Sequence, residues 1–202
     1  MHQFIKLGSY IFHPLWLSTY AMIYYFVNVS FMFTYENMLA KILAVLLLTV
    51  FMPLFFLILL KPLRIIDSLQ LEKIKQRRIP LLFFTTISAF IINFIFDPVH
   101  YKIPFYFFSA VFLCGLVCVI LSFLNYKISL HATGISSFAT FIIGFSFYYN
   151  INNLWVITLV VFAVGWVLSS RLYMKAHNLH ELMSGMLLGI LSQLIFMKFW
   201  FI

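Results

Sequence analysis

Charge is what this chain lacks most. Charged residues make up 9% of it and apolar residues 64%, against about 25% and 45–50% in ordinary soluble domains. That balance excludes a soluble globule. Acid is the scarcer charge, with 5 Asp and Glu set against 13 Lys and Arg. Cysteine is confined to Cys114 and Cys118, four apart within one apolar run. There they share one side of a helix and serve packing, which argues against a disulfide framework or a thiolate metal site. The first thirty residues have no small-residue cleavage site after a short apolar core, so no removable signal peptide is expected. Internal repeats and low-complexity tracts are also missing.

What the chain does have is long apolar runs. Seven candidate spans lie at about 8–33, 39–60, 80–96, 104–124, 134–149, 154–170 and 182–201. The third, fifth and sixth are short for a hydrocarbon layer of about 30 Å, with aromatic and polar flanks or local thinning to make up the difference. Backbone groups in lipid must bond within their own segment, so the spans are expected as helices. The expected architecture is an all-α, polytopic membrane bundle of about seven helices, forming one membrane domain over residues 1–202. Pro14 and Pro53 mark a kink or a first turn, and Pro80 suits the first turn of the third helix. Gly185-x3-Gly189 allows two helices to approach closely.

Counting crossings puts the loops at 61–79, 125–133 and 171–181 on one face, together with the N-terminus. That face carries Lys6, Lys61, Arg64, Lys73, Lys75, Arg77, Arg78, Lys127, Arg171 and Lys175, whereas the other has Lys41, Lys102 and Lys198. The positive-inside rule assigns the basic face to the cytoplasm. Retention of an anionic substrate is a second explanation for part of the excess, and sidedness stays open between them.

Two short strings at the ends of apolar runs carry chemistry. One is Ser129-Leu130-His131; the other is Arg171-x5-His177-x3-Glu181. Attack on a phosphate ester needs positive charge around the phosphoryl oxygens, an in-line nucleophile and an acid on the leaving oxygen. Arginine meets the first need with a planar fork that matches phosphate oxygens. Histidine meets the other two because its pKa lies near neutrality. A nucleophilic imidazole must hold its proton on one nitrogen and present the other. Glu181, one helical turn after His177, is placed to accept that proton.

These residues resemble the type 2 phosphatidic acid phosphatase superfamily, the membrane histidine phosphatases. Its third motif, Ser-Arg-x5-His-x3-Asp, is met by Ser170-Arg171-x5-His177-x3-Glu181 in all but the last position. Its second, Pro-Ser-Gly-His, is met by Ile128-Ser129-Leu130-His131 in the serine and histidine. Leu130 in the glycine position removes backbone freedom there. The first motif, Lys-x6-Arg-Pro, has a loose counterpart in Glu72-Lys73-Ile74-Lys75-Gln76-Arg77-Arg78-Ile79-Pro80. The resemblance covers about 70–195 and implies a six-helix core with an added N-terminal helix. It implies that His177 is the nucleophile forming a phosphohistidine, with Glu181 in place of the usual aspartate. His131 would be the acid, while Arg171, Ser129, Arg78 and Lys73 bind phosphate. No metal or other cofactor is implied.

Plainer readings cover other residues. His13, beside Pro14, and His100, after Asp97-Pro98, read as interfacial anchors. A zinc site from His131, His177, His180 and Glu181 is opposed by Arg171, whose charge repels a cation. The basic loop at 61–79 suits anionic lipid headgroups, and charge concentrated in one loop at a membrane does not suit nucleic acid. The expected function is hydrolysis of a lipid phosphate (isoprenyl, phosphatidyl or glycolipid) in the bacterial inner membrane. The alternative is an inactive relative that binds a lipid phosphate or a partner protein in a membrane complex.

Overall fold

The computed structural model describes residues 2–71 and 73–201, with His2 defined in its backbone alone. Among these residues the chain is helical throughout, without strands: α1 (His2–Ile11), α2 (Pro14–Asn28), α3 (Tyr35–Leu46), α4 (Met52–Leu60), α5 (Ile74–Phe90), α6 (Lys102–Phe123), α7 (Leu130–Tyr148), α8 (Leu154–Tyr173) and α9 (Leu179–Met197). Six stretches are long and apolar enough to cross a membrane: Tyr35–Leu60, Ile74–Ile95, Lys102–Phe123, Leu130–Tyr148, Leu154–Tyr173 and Leu179–Trp200. The fold is therefore compatible with an integral membrane protein. Exposed side chains such as Leu159, Phe162, Leu187, Leu191 and Leu194 suit contact with lipid.

The expected seventh span, at 8–33, is not a continuous helix. It is divided into α1 and α2, of 10 and 15 residues, and ends in a 3-10 turn at Ser30–Met32. The physical cause is Pro14, which lacks an N–H and pushes the preceding residue out of helical geometry. Five of the other six runs gain residues at their starts, and the run at 154–170 gains them at its end. The spans expected to be short reach 22, 19 and 20 residues, because helical hydrogen bonding continues past the last apolar side chain. Pro80 is accordingly inside α5 rather than in its first turn. Lys75, Gln76, Arg77 and Arg78 are good helix formers and start the helix earlier. Pro53 occupies the first turn of α4, immediately after a π-helical turn at Leu47–Phe51. The wider turn accommodates the missing proline N–H.

The helices gather into two compact units, residues 1–17 with 128–202, and residues 18–127. The first contains α1, α7, α8 and α9. Its core runs along α7, where Ala132, Ile135, Phe141, Ile142 and Phe145 are fully buried. Hydroxyls on these apolar helices return hydrogen bonds to the preceding turn, as from Thr140 to the Ser136 carbonyl (2.8 Å) and from Ser192 to the Leu188 carbonyl (2.7 Å). These two hydroxyls are thereby satisfied without water.

Gly185 and Gly189 bring α9 against α7, as their spacing suggested. A Cβ on Gly185 would stand 2.7 Å from the Ser129 carbonyl oxygen, and one on Gly189 would stand 2.8 Å from the Ser137 nitrogen. Gln193 then bonds across the same seam, Nε2 donating to Ser137 Oγ at 2.8 Å. Helix α1 is clasped to α8. Phe4 stacks on Trp166 with centroids 4.7 Å apart, and Trp166 Nε1 donates to the Phe4 carbonyl at 3.0 Å. One turn on, Ser9 Oγ and Ser170 Oγ share a hydrogen bond of 2.7 Å.

In the second unit, α5 packs on α6, and the start of α5 meets the end of α6 through Arg78. An aromatic cluster of Phe26, Phe33, Phe96, Tyr101 and Phe108 fills the opposite end, with Lys41 Nζ 4.8 Å from the Tyr101 ring. His100 caps its own loop there, Nδ1 lying 2.9 Å from Asp97 Oδ1.

Candidate active site

The turn between α8 and α9 sets the positions of Arg171 and His177. Helix α8 ends in a Schellman closure: Ala176 N–H donates to the Arg171 carbonyl (3.1 Å), and Lys175 N–H to that of Leu172 (2.9 Å). Lys175 takes the left-handed position, φ 51°, which glycine usually occupies. The chain then reverses within a few residues. Asn178 caps α9, its Oδ1 accepting the Glu181 N–H at 2.9 Å. His177 is thus held just before one helix start, and Arg171 in the last turn of the helix preceding it.

His177 and Glu181 meet as their spacing implied. Nδ1 lies 2.6 Å from Glu181 Oε2, with the imidazole 2% and the carboxylate 17% exposed. A carboxylate accepts and cannot donate, so the neutral ring keeps its proton on Nδ1 and its lone pair on Nε2. The extra methylene of Glu over Asp is accommodated within that bond. His180 is exposed, on a different side of the same turn. Among the described residues, no group of three or more His, Cys, Asp or Glu side chains is placed to hold a metal ion.

Ser129 and His131 arrive on the N-terminus of α7. Ser129 is the N-cap, fully buried, and its Oγ accepts the Ala132 N–H at 3.4 Å. Its backbone N–H donates to the Glu181 carbonyl at 3.2 Å, which ties the starts of α7 and α9 together. Ser129 has an ordinary extended backbone and Leu130 opens the helix; neither has positive φ. Leu130 therefore carries no backbone strain. The His131 ring hydrogen-bonds the Ser9 carbonyl, and the charges of Arg171, His13 and His177 all act on it.

Arg171 is the least satisfied group in the cluster. Its Nε is buried without a hydrogen-bond partner, and neither a hydrogen bond nor an ion pair engages its guanidinium among the described residues. Buried donors in folded proteins nearly always find acceptors, so an unmet one needs an explanation. A bound anion would supply acceptors to the whole fork. Lys6, Tyr10, Tyr173, Met174 and Lys175 line an open cavity of about 550 Å³, which Arg171 and the histidines do not line; Tyr10, on its wall, is within electrostatic reach of the arginine.

Arg78 and Lys73 belong to the other unit. Arg78 Nε and Nη2 donate to the Ser122 carbonyl at 3.3 and 3.2 Å, Nη2 also reaches Asn125 Oδ1 at 3.2 Å, and the guanidinium covers the Phe123 ring. It closes the C-terminus of α6, a favourable place for a cation. Lys73 pairs with Asp67 at 2.6 Å, both well exposed. The lysine keeps its proton to higher pH, mainly through that hydrogen bond, and the aspartate loses its proton at lower pH for the same reason. Glu72, beside Lys73 in the basic loop, lies outside the described residues.

Sequence reasoning missed the contribution of α1. Ser9 orients His131 through its carbonyl, and His13, read as an interfacial anchor, stands edge-on to the His131 ring with centroids 5.0 Å apart and planes at 88°. No spacing rule links residues so distant in sequence. The signal available was that His13 precedes a proline at a helix break on the basic face. No protein-family model, curated protein or solved structure matches this chain.

Proposed function

We propose that the chain is a membrane phosphatase that hydrolyses a lipid phosphate through a phosphohistidine on His177. The reading rests chiefly on Arg171: a part-buried guanidinium with no partner among the described residues, in a cluster with a carboxylate-oriented histidine and a second histidine. Stabilising a bare cation there is costly unless an anion completes it.

The chemistry follows from the residues. Arg171 grips the phosphoryl oxygens, and the start of α7 adds backbone N–H groups and the positive end of its helix dipole. His177 Nε2 attacks phosphorus while Glu181 holds the Nδ1 proton and stabilises the developing imidazolium. The P–O bond to the lipid breaks, and His131 delivers a proton to the departing oxygen. In the second half, His131 takes a proton from water as the water oxygen attacks phosphorus. The P–N bond breaks, phosphate leaves, and both histidines regain their starting states. The neighbouring cavity, with Lys6 and Lys175, offers room for an anionic headgroup while the tail remains among the apolar helices. Isoprenyl, phosphatidyl and glycolipid phosphates all meet that description.

A binding-only role as a scaffold draws on a different observation. The cationic ends of Arg78 and Lys73 are already engaged by Ser122, Asn125 and Asp67, so two of the expected phosphate ligands have other partners. Phosphate release by purified protein in detergent, from a panel of lipid phosphates and diphosphates, separates the readings. Release that vanishes in His177→Ala supports the enzyme. Folded protein that binds these lipids and releases nothing supports the scaffold.

A further inference from the structure

We infer that His13 is a third histidine of this site, donating Nε2–H to a phosphoryl oxygen of the substrate. The inference rests on the phosphatase reading and extends it to a residue outside the two motifs.

Two geometric facts and one electrostatic one carry it. First, Pro14 breaks the chain between α1 and α2, and His13 occupies the break as a cap. Its carbonyl accepts the Trp16 N–H at 2.9 Å, and its Nδ1 accepts the Leu15 N–H at 3.4 Å. A ring whose Nδ1 accepts must carry its proton on Nε2. Nε2–H therefore points away from the start of α2 as the donor still available, and no described residue accepts from it. Secondly, the ring stands perpendicular to His131 at 5.0 Å between centroids, too close for His13 to be a separate anchor. Thirdly, Arg171 lies near enough for its charge to act on both rings.

Electrostatics decides what such a ring can do. His13 lies outside the six spans, and burial first, then the Arg171 charge, holds its pKa below the ordinary 6.5. It is neutral at neutral pH. A neutral imidazole is a poor proton source for a leaving group but a good fixed donor to developing negative charge. His13 is thereby given an electrostatic task, with Arg171 and His13 gripping different phosphoryl oxygens.

The rival account is that His13 only caps α2, and one substitution separates the two. Asparagine is among the best N-caps, yet its shorter side chain cannot extend to the phosphate. His13→Asn is expected to retain the melting temperature while kcat/KM for lipid-phosphate hydrolysis falls about 10- to 100-fold, the scale of losing one oxyanion donor. Inhibition by vanadate, a mimic of the pentacoordinate transition state, should weaken by a similar factor, and inhibition by inorganic phosphate by less. His13→Gln, which carries an amide N–H further out, should recover part of both. If His13→Asn melts early, the glutamine variant decides: recovery of vanadate inhibition without recovery of stability supports the donor.

Full activity and unchanged vanadate inhibition in His13→Asn, with His177→Ala inactive, would overturn the role of His13 and leave the phosphatase intact. Wild-type protein that neither releases phosphate nor binds vanadate would instead overturn the phosphatase reading, and the donor role with it.

Discussion

Replacing Gly185 with alanine tests whether the close approach of α7 and α9 builds the site. Two effects oppose each other. Alanine is the better helix former by about 1 kcal/mol, so propensity alone predicts a more stable protein. The added Cβ, however, would stand 2.7 Å from the Ser129 carbonyl oxygen and 3.2 Å from both Ala132 Cβ and Thr133 Oγ1. Ordinary contact begins near 3.4 Å, so α9 must withdraw by about 0.7 Å in a closely packed seam. The nearest obstacle is backbone, which no rotamer change can relieve. Overpacking of this kind costs about 1–3 kcal/mol, and the upper part of that range applies here. The net expectation is a loss of about 1–2 kcal/mol, read as a lower melting temperature in detergent. The effect on function should be larger. Ser129 N–H bonds the Glu181 carbonyl at 3.2 Å across this seam, so withdrawal separates the α7 start, with His131, from His177 and Glu181. Misplacement by about 1 Å can cost 100-fold, and phosphate release should fall about 10- to 100-fold. A raised melting temperature with undiminished release would refute the packing argument and its link to catalysis.

Glu181→Gln keeps the size but weakens the acceptor at His177 Nδ1, and should lower phosphate release by about 100-fold or more with little change in KM. Arg171→Met removes an unpartnered part-buried cation, so the melting temperature should rise while hydrolysis is lost; a fall in stability would mean that Arg171 has a structural role. The pH dependence of stability has a defined sign. His13 has a lowered pKa in the folded state, so above pH 6.5 the ring is neutral both folded and unfolded. Below 6.5 the unfolded chain takes up a proton that the folded chain, with Arg171 and His131 facing the ring, resists. Stability should therefore decline from pH 6.5 down to the depressed folded-state pKa. The decline should be shallower in His13→Asn, and identical melting profiles would count against it.

Local chemistry was legible in the sequence where the decisive partners are neighbours. His177 and Glu181 are only four residues apart, although His177 precedes α9 and their contact is made across the Asn178 cap, and Gly185-x3-Gly189 marks its own close approach. The apolar runs located the six long helices but placed five of their starts too far inward. Hydropathy stops at the first charged side chain, whereas α5 starts six residues before Pro80, on lysines and arginines that favour helix. Across greater separations the sequence said little. His13 meets His131 because α1 is clasped to α8 by Trp166 and Ser170, contacts that depend on packing rather than periodicity. Arg78 illustrates the converse: a cation within a loosely matching motif is committed to the end of α6 by a carbonyl and an amide that no spacing rule identifies.

The serine pair that fastens α1 to α8 spans 161 positions of sequence, and this has a consequence for biogenesis. Helix α1 is synthesised before residues 18–127, whereas the helices it contacts in its unit are synthesised after them. Ser9 cannot orient His131, nor His13 stand beside it, until the ribosome has delivered α7 and α8. Completion of the site is thus among the last events of folding, and long-range closure of this kind is slow. A chain stalled or cut before α8 would leave α1 without its partner however well its earlier helices had formed, and on the phosphatase reading such a partial product would not hydrolyse a lipid phosphate.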